Sequence, residues 1–462
     1  MGDRPVDLQE PLDELVRRPS SFRHDLSFPP PERIRVYDDT LRDGEQMPGV
    51  AISPNDKYDL AVALSDIGVH IMDVGFPAVS EGEQETLRLV LEGKRRGELR
   101  EDLEVVCMMR SSPSDIDATM AVIDQLGFPR DAVTYFVFTS ASDLHVKYKL
   151  GRTLLAREGI PASEWLELPV EFYRDANLRM LCDAIRYARE QGAAEVEFGG
   201  EDGSRADVEY IERIHREGLA AGGTRPSTPD TVGCYSPYAV KDYISRIKAA
   251  TPEAPLVVHF HNDLGLGAWN TVTALGSGAE AFTTSVNGIG ERTGNAPMHQ
   301  VLLQLRYLFD IEIPGFRYDK LRELARHLER ISGVPVQPTE PGIGLNVFSH
   351  ESGIHTAGML IHPAVYQFIP PEDLGEHVRY VYGKHSGALV IEHALREGGL
   401  HPNAELVGRV MKEVKRLREE RAEGEDFSEF QRLYYDHLEG MGVSAEEVVE
   451  IGVALSGESA GY

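Results

Sequence analysis

Residues 256–263, with the sequence LVVHFHND, decide the fold because they combine a buried strand with two side chains that can bind metal. The apolar, β-branched run before His259 is typical of a strand covered on both faces. Side chains alternate between the faces of a strand, so His259 and His261 point the same way and Phe260 points the other way. Two imidazoles on one face can bind one metal ion, although two partnered core histidines give the same pattern. The metal interpretation therefore depends on further ligands and on a suitable scaffold.

Predicted strands and helices alternate on both sides of this segment. Eight strands, each followed by a helix, are typical of a parallel (β/α)8 barrel, the TIM-barrel form of the α/β class. A doubly wound open sheet is the alternative, because the sixth strand is faint. The predicted strands are residues 34–39, 69–74, 103–108, 132–138, 195–198, 225–228, 255–261 and 281–286. The predicted helices between them include residues 55–67, 80–94, 114–126, 172–190, 208–221 and 239–249.

The chain of 462 residues is long enough for a barrel of about 250 residues and an accessory region. Residues 1–32 are expected to form an N-terminal extension, and residues 33–311 the barrel. After residue 311 the alternation stops, and a Pro/Gly-rich linker at 333–344 is followed by segments with helical periodicity. Residues 312–462 are therefore predicted to form a mainly helical C-terminal region.

The composition is that of a soluble globular protein, with 42% hydrophobic and 26% charged residues. A formal net charge of −28 argues against a nucleic-acid-binding surface, although a pocket can still be locally positive. The three cysteines lack paired spacing and are expected to be free thiols in a reducing compartment. Because no segment resembles a signal peptide or a membrane span of about 18 apolar residues, we expect a cytoplasmic protein with no membrane partner.

The segment at residues 143–169 is too long for a plain loop between the fourth strand and its helix. It concentrates basic side chains in an acidic protein, and on a barrel it would lie over the face where active sites are built. Two interpretations stay open, a binding surface for the anionic tail of a cofactor and a solvated helix. The basic residues are Lys147, Lys149, Arg152 and Arg157.

Polar clusters follow the first, fifth, sixth, seventh and eighth predicted strands. Because the C-terminal ends of barrel strands meet at one rim, these clusters are expected to converge. Asp43 can bind a hard cation, the adjacent Arg42 can hold a carboxylate or a developing enolate, and Asn295 offers an amide oxygen. Glu201 is a candidate acid or base, and the glycines before it let the backbone approach a ligand. A polar surface turn would explain any one of these clusters, but it would not explain why all five are expected at the same rim.

Five motifs occur in the order found in one enzyme family. They are DTLRDGEQ at residues 39–46, HFHNDLG at 259–265, NGIGERTGN at 287–295, HESGIH at 350–355 and GKHSG at 383–387. With these motifs the chain resembles the DRE-TIM metallolyase superfamily, specifically its Claisen-condensing 2-isopropylmalate synthase and homocitrate synthase branch. The resemblance covers roughly residues 34–395, while residues 1–32 lie outside it and the final helices match only loosely.

The resemblance implies a divalent metal ion in the barrel mouth that binds the ketone and carboxylate of a 2-oxo acid. By motif position its ligands would be Asp43, His259 and His261, with Asn295 in or near the coordination sphere. Oxygen and imidazole ligands suit Mn²⁺, Mg²⁺ and Zn²⁺, and the sequence does not choose among them. The co-substrate would be acetyl-CoA, whose enolate attacks the ketone before thioester hydrolysis drives the reaction forward.

The resemblance also implies roles for other residues of the barrel. Arg42 would stabilise the oxyanion that develops on the ketone, and Gln46 and Thr231 would contact the 2-oxo acid. Glu201 aligns with a catalytic glutamate.

In such enzymes a histidine and a tyrosine of the helical region reach the partner subunit's barrel as acid/base groups. The candidates here are His350 or His355, together with Tyr366. The spacing of His355 to Tyr366 resembles that of homocitrate synthases and favours His355, whereas His350 fits other members better. A homodimer with an active site shared between subunits is therefore expected.

The chain departs from the family pattern at two positions of the expected pocket. Asp73 stands where many relatives carry glutamate, and its shorter side chain enlarges the pocket or shifts a hydrogen bond. Glu197 occupies the position of the arginine that binds the distal carboxylate of 2-oxoglutarate in homocitrate synthases, so it argues against that substrate. Residues 50–51, 143–145 and 199–202 nevertheless look closer to homocitrate synthases. No domain resembling the leucine-binding regulatory module is expected.

Together these features predict an acyltransferase that condenses acetyl-CoA with a 2-oxo acid to give a 2-alkylmalate- or homocitrate-like product. The alternatives are a retro-Claisen or retro-aldol lyase on the same barrel, and a specialised-metabolism synthase for a phosphono- or other unusual 2-oxo acid. The helical region argues against a barrel-only lyase. A non-catalytic protein that kept the fold is disfavoured by the presence of Arg42, Asp43 and Glu201.

Overall fold

The computed structural model describes residues 26–424 and 428–456, which form two compact units. The first contains residues 26–317 and 324–333, and the second contains residues 318–323, 334–424 and 428–456. Residues 1–25, most of the predicted N-terminal extension, lie outside the described residues. The first unit continues past residue 311, since the amide of Arg317 donates a hydrogen bond to the carbonyl oxygen of Ile67 at 2.8 Å.

Eight parallel strands close into a barrel in the first unit. Each strand pairs with the next, and the last pairs with the first, where Val36 lies opposite Phe282. The predicted (β/α)8 barrel is therefore confirmed, and the open sheet is excluded. The strands are β1 Arg35–Asp38, β2 Ile71–Asp73, β3 Glu104–Arg110, β4 Thr134–Ser140, β5 Val196–Glu201, β6 Arg225–Asp230, β7 Val257–Phe260 and β8 Ala281–Thr284.

The sequence of β6, RPSTPD, explains why its signal is faint. Prolines are depleted in strands because they cannot donate a hydrogen bond to a neighbour. Strands on both sides nevertheless hold β6 in register, with Phe198 of β5 opposite Pro226 and His259 of β7 opposite Pro229. The closed barrel thus overrides the local preference of this segment.

Helices connect successive strands along the outside of the barrel. The first begins where Ser53 accepts a hydrogen bond from the amide of Asp56 at 3.2 Å, with Pro54 at its first position. It ends at Gly68, whose φ of 109° is in the left-handed region that glycine adopts readily. The helices of the barrel are α1 Pro54–Ile67, α2 Glu81–Arg96, α3 Pro113–Leu126, α4 Gly151–Arg157, α5 Val170–Glu190, α6 Val208–Ala220, α7 Pro237–Ala250, α8 Gly267–Leu275 and α9 Met298–Phe309.

Inward-facing side chains fill the middle of the barrel, as is usual for this fold. Apolar side chains from five strands pack together there, and Phe136 of β4 packs against them. Because they close the interior, space for a ligand remains toward the C-terminal ends of the strands. The cluster consists of Tyr37, Ile71, Val106, Val257 and Ala281.

The second unit is mainly helical, as predicted. It also contains two short parallel strands that the sequence does not indicate, β9 Ser349–His350 and β10 Arg379–Tyr380. No helix among the described residues is long and apolar enough to cross a membrane. After α9, α10 Leu321–Ser332 lies mostly in the first unit. The helices of the second unit are α11 Gly353–Ile361, α12 Ala388–Glu397, α13 Ala404–Gly424, α14 Ser428–Glu439 and α15 Ala445–Ser456.

Candidate active site

A cavity of about 420 Å³ opens in the first unit, lined by all eight strands or the loops that follow them. Most of the candidate residues of the barrel contribute to its lining. Asp73 and Asn295 do not line it, but each contacts a residue that does. The candidates that line the cavity are Arg42, Asp43, Gln46, Glu197, Glu201, Thr231, His259 and His261.

Asp43, His259 and His261 form a buried cluster whose potential ligand atoms all lie within 4.8 Å of one another. Oδ2 of Asp43 lies 3.7 Å from Nε2 of His259 and 3.8 Å from Nε2 of His261. These distances are too long for hydrogen bonds and leave room for a cation between the three atoms. The structure thus brings the three predicted ligands together.

Unpaired polar atoms support a metal ion at this cluster. Among the described residues, Oδ2 of Asp43 and Oδ1 of Asn295 are buried without a hydrogen-bond partner. Buried polar atoms are normally paired, so their isolation is costly unless a further group binds them. The backbone of Asn295 bridges to that of His261, and its side chain contacts Asp43. Two imidazole nitrogens with carboxylate and amide oxygens therefore fit a divalent ion.

The protonation states of Asp43 and His261 also favour a metal ion. Burial alone would raise the pKa of Asp43, but Arg42 and the two histidines lower it to about 2, so the carboxylate stays ionised. Burial, reinforced by His259, lowers the pKa of His261 to about 4, which keeps its imidazole neutral near pH 7. A neutral imidazole and an ionised carboxylate are the forms that bind metal.

Asp39 belongs to the site although the sequence analysis does not single it out. It is fully buried, and its Oδ2 lies 3.1 Å from Nδ1 of His259. Oγ1 of Thr283 lies 2.7 Å from the same nitrogen. Together these contacts orient the ring so that Nε2 faces Asp43. Asp39 opens the DTLRDGEQ motif, which is the signal that could have identified it.

Arg42 connects the cluster to the end of β2. Its Nη1 donates to Oδ1 of Asp43 at 2.6 Å, and its Nε donates to Oδ2 of Asp73 at 2.7 Å. Burial would lower the pKa of Arg42, but the surrounding carboxylates raise it, so the guanidinium stays charged. Burial raises the pKa of Asp73 to about 6 although Arg42 lowers it. Asp73 therefore positions Arg42 from outside the cavity lining.

Glu201 lies on the cavity rim at the end of β5, where Lys149 donates a hydrogen bond to its Oε2. Nδ1 of His145 lies 3.7 Å from Oε1 of Glu201, and Nε2 of His145 lies 3.5 Å from Oδ2 of Asp202. Oγ1 of Thr231 accepts a hydrogen bond from the Asp202 amide at 2.8 Å. Lys149 and His145, from the segment at residues 143–169, thus contact Glu201 and its neighbour Asp202 at the rim, and the Asp202 amide links them to Thr231.

Other side chains of that segment stabilise the segment itself. Nζ of Lys147 donates to the carbonyl oxygen of Leu168 at 3.0 Å, and the guanidinium of Arg152 lies 5.0 Å from the ring centroid of Trp165. Lys149 differs because it lines the cavity. Of Lys147, Lys149, Arg152 and Arg157, only Lys149 therefore lines the cavity, so the segment does not present a basic surface there.

The glycines of β5 are explained by the packing of neighbouring strands. A Cβ on Gly199 would lie 2.5 Å from the carbonyl oxygen of Ser227, and a Cβ on Gly200 would lie 2.7 Å from Cβ of Ala141. Both distances are too short for a side chain. Close approach of a ligand to the backbone is therefore not needed to account for them.

Glu197 lies deep in the cavity and is 1% exposed. Arg225 lies opposite it in the register of β5 and β6, and its Nε donates to Oε2 of Glu197 at 2.8 Å. The same guanidinium binds Glu104 of β3. Sequence reasoning missed Arg225, since a partner on another strand has no local signal.

The three candidates of the helical region lie together in the second unit. The rings of His355 and Tyr366 stack with centroids 4.1 Å apart, and the ring of His350 lies 6.3 Å from that of His355. Nε2 of His350 lies 3.3 Å from Nε2 of Gln367. Burial and then the charge of His355 lower the pKa of His350.

Two protein-family models match the chain. The model described as HMGL-like matches residues 33–326, which include the whole barrel. The model described as homocitrate synthase post-HMGL domain-like matches residues 343–422 of the helical region.

Known proteins of similar sequence include two kinds of synthase. Homocitrate synthase AksA of Methanopyrus kandleri is 36% identical over 413 residues, which are 89% of this chain and 94% of that protein. A probable 2-isopropylmalate synthase of Ignicoccus hospitalis is 37% identical over 389 residues, 84% of this chain and 88% of that protein. Among solved structures, the hydroxymethylglutaryl-CoA lyase of Pseudomonas aeruginosa has a TM-score of 0.52 and 20% identity, covering 68% of this chain and 96% of that chain. The last likeness concerns the fold alone.

Proposed function

The chain belongs to the HMGL-like family, in the 2-isopropylmalate and homocitrate synthase branch of the DRE-TIM metallolyases, and on this premise we propose a metal-dependent acyltransferase. It condenses acetyl-CoA with a 2-oxo acid and, with one water molecule, yields a 2-alkylmalate- or homocitrate-like product and free CoA. The observation that carries the proposal is the buried cluster of Asp43, His259 and His261 beside Arg42.

Asp43, His259 and His261 would hold a divalent ion, whose positive charge would polarise the ketone of the 2-oxo acid. Mn²⁺, Mg²⁺ and Zn²⁺ all suit these donors. The guanidinium of Arg42 stabilises the negative charge that develops on the ketone oxygen, because it is buried, charged and fixed by two carboxylates. Gln46 and Thr231, which line the same cavity, hold the 2-oxo acid in place.

The reaction needs an acid/base group as well as charge stabilisation. A base removes a methyl proton of acetyl-CoA, and the resulting enolate carbon bonds to the ketone carbon, whose oxygen takes up a proton. Water then cleaves the thioester, which releases the CoA thiol and leaves a carboxylate. Glu201 on the rim and His355 with Tyr366 are the groups proposed for these proton transfers.

A lyase that runs a retro-Claisen or retro-aldol cleavage is the second candidate. The match of residues 343–422 to the homocitrate synthase domain favours the synthase. A specialised synthase for a phosphonate-bearing 2-oxo acid stays within the same proposal. We place the enzyme in the cytoplasm, because Cys234 is a free and exposed thiol, which suits a reducing compartment.

Thiol release across a panel of 2-oxo acids tests the reaction class. With Mn²⁺ and acetyl-CoA, we expect the protein to release free CoA with at least one of 2-oxoisovalerate, 2-oxoglutarate, oxaloacetate, pyruvate or a phosphonate-bearing analogue. Assays without a 2-oxo acid correct for plain thioester hydrolysis. If no acceptor raises thiol release above that background, the synthase proposal fails.

We further propose a homodimer in which His355 and Tyr366 serve the partner subunit's barrel. Inactive Arg42→Ala and His355→Ala subunits, refolded together, should recover about a quarter of the wild-type activity, since half of the dimers then hold one intact pair. Mixing Arg42→Ala with His261→Ala, two barrel variants, should restore nothing. Activity of the first mixture equal to the sum of its components would refute the shared site.

A further inference from the structure

Glu197, which lines the cavity, shares the guanidinium of Arg225 with a second carboxylate, that of Glu104. Nη1 and Nη2 of Arg225 donate to Oε2 and Oε1 of Glu104 at 3.1 and 2.7 Å, and Nε donates to Oε2 of Glu197 at 2.8 Å. Arg225 thus pairs with both carboxylates, so one guanidinium charge is shared between them. Glu197 therefore brings to the cavity a carboxylate whose charge Arg225 balances only in part.

One oxygen of Glu197 is available to a ligand. Glu197 is 1% exposed and lines the cavity, and its Oε1 has no hydrogen-bond partner among the residues described. Gly199, two residues along the same face of β5, has no side chain and cannot carry one, since a Cβ there would lie 2.5 Å from the Ser227 carbonyl oxygen. β5 therefore leaves the space between Glu197 and Glu201 open.

The lining of the cavity that holds the metal cluster and Glu197 is also partly apolar. It includes the side chains of Tyr37, Met108, Phe136 and Phe138. Burial raises the pKa of Glu197 to about 7, although Arg225 lowers it. Near neutral pH a ligand at Oε1 thus meets both the carboxylate and the carboxylic acid form.

We propose that the acceptor 2-oxo acid carries a hydroxyl group at the end of its side chain, and that Oε1 of Glu197 binds this hydroxyl. The inference rests on the proposed function and names its substrate class. A hydroxyl donates a hydrogen bond to a carboxylate and accepts one from a carboxylic acid, so it pairs with either form of Glu197. A second carboxylate on the acceptor would be repelled by the carboxylate of Glu197, because the guanidinium of Arg225 is already paired. An acceptor that ends in a methyl group would leave Oε1 of Glu197 buried without a hydrogen-bond partner.

Two acceptors of equal length isolate this contact. With acetyl-CoA and the Mn²⁺-loaded full chain, 4-hydroxy-2-oxobutanoate is expected to give a kcat/KM about 100-fold higher than 2-oxopentanoate, which has a methyl in place of the hydroxyl. It should also exceed 2-oxoglutarate. Equal rates for the matched pair, or 2-oxoglutarate as the best acceptor, would overturn the proposal.

Variants of Glu197 show whether this residue sets the preference. Glu197→Leu should reverse the order of the matched pair, whereas Glu197→Gln, which keeps an oxygen acceptor, should retain a reduced preference for the hydroxyl. Glu209→Leu, the same change at a side chain that is 82% exposed, is the control. If Glu197→Leu does not fold, Glu197→Gln decides: a preference for the hydroxyl acceptor that is reduced but kept supports the hydrogen bond to Glu197, whereas an unchanged preference or its complete loss contradicts it.

Calorimetry separates this inference from the proposed function. Binding of 4-hydroxy-2-oxobutanoate and 2-oxopentanoate to the Mn²⁺-loaded chain is measured without acetyl-CoA. Tighter binding of the hydroxylated acid that Glu197→Leu abolishes supports the subsite even if no acceptor releases thiol, in which case the synthase proposal alone fails. Equal binding of both acids contradicts the subsite, whatever the activity.

Discussion

Arg42→Ala is expected to lower kcat for thiol release by about 10²–10³-fold, the loss that follows removal of a donor aimed at a developing oxyanion. The guanidinium is held by Asp43 at 2.6 Å and Asp73 at 2.7 Å, so it does not reorganise during the reaction. Arg42→Lys keeps the charge but loses the planar fork that binds both carboxylates. We therefore expect an intermediate loss for lysine, measured as kcat with saturating substrates.

Arg88→Ala is the matched control for this prediction. Arg88 lies on α2, is 37% exposed and pairs with Glu85 and Glu92 on the same helix. Its loss should leave kcat within a factor of two, since such surface pairs contribute about 0–1 kcal/mol. Urea unfolding of each variant shows whether the fold is intact. A folded Arg42→Ala protein with kcat within fivefold of wild type would remove Arg42 from the mechanism.

His261→Ala is expected to abolish retention of the divalent ion. Its imidazole is one of three ligands, and loss of even an outer-sphere partner costs about 10–100-fold in metal affinity, so we expect at least a 100-fold loss. Metal content after dialysis gives the direct measurement. Addition of Mn²⁺ should also raise the melting temperature of the wild type and leave that of the variant unchanged. Full metal content in His261→Ala would disprove the ligand assignment.

The pH dependence of metal binding gives an independent check. Burial lowers the pKa of His259, but Asp39 and Asp43 raise it above its usual value, so the metal-free imidazole holds a proton at slightly acidic pH. Because metal binds the neutral ring, affinity should fall as the pH drops, with a proton released on binding. His401→Ala, a change at an exposed histidine, should alter neither the affinity nor its pH dependence.

Much of the barrel site could be predicted, because its residues occupy motifs at the ends of strands. The ligands Asp43, His259 and His261 come together for this reason. The support beneath them could not be predicted in the same way. Asp39 contacts His259 from the end of β1, a strand that does not pair with β7, and the motif that Asp39 opens does not show which side chain it contacts.

Glu197 is the clearest case of a residue whose partners could not be predicted from the sequence. From its position in the sequence, the carboxylate of Glu197 is predicted only to repel a second carboxylate of the substrate. In the structure it lines the cavity and shares Arg225 with Glu104, so its chemistry depends on residues from two other strands. The charge that a ligand meets at Glu197 is therefore set by Glu104, Glu197 and Arg225 together, not by Glu197 alone.

By itself, the sequence determined the (β/α)8 barrel, the helical region and the three side chains that meet in the candidate metal cluster, because periodicity and motif spacing are properties of neighbouring residues. Only the tertiary structure showed how neighbouring strands hold β6 in register despite two prolines, that Asp39 orients His259, and that Arg225 joins Glu104 to Glu197. The physical reason is the closure of the barrel. It places side chains from distant strands in one small, poorly solvated space, where each one's charge and partners depend on all the others.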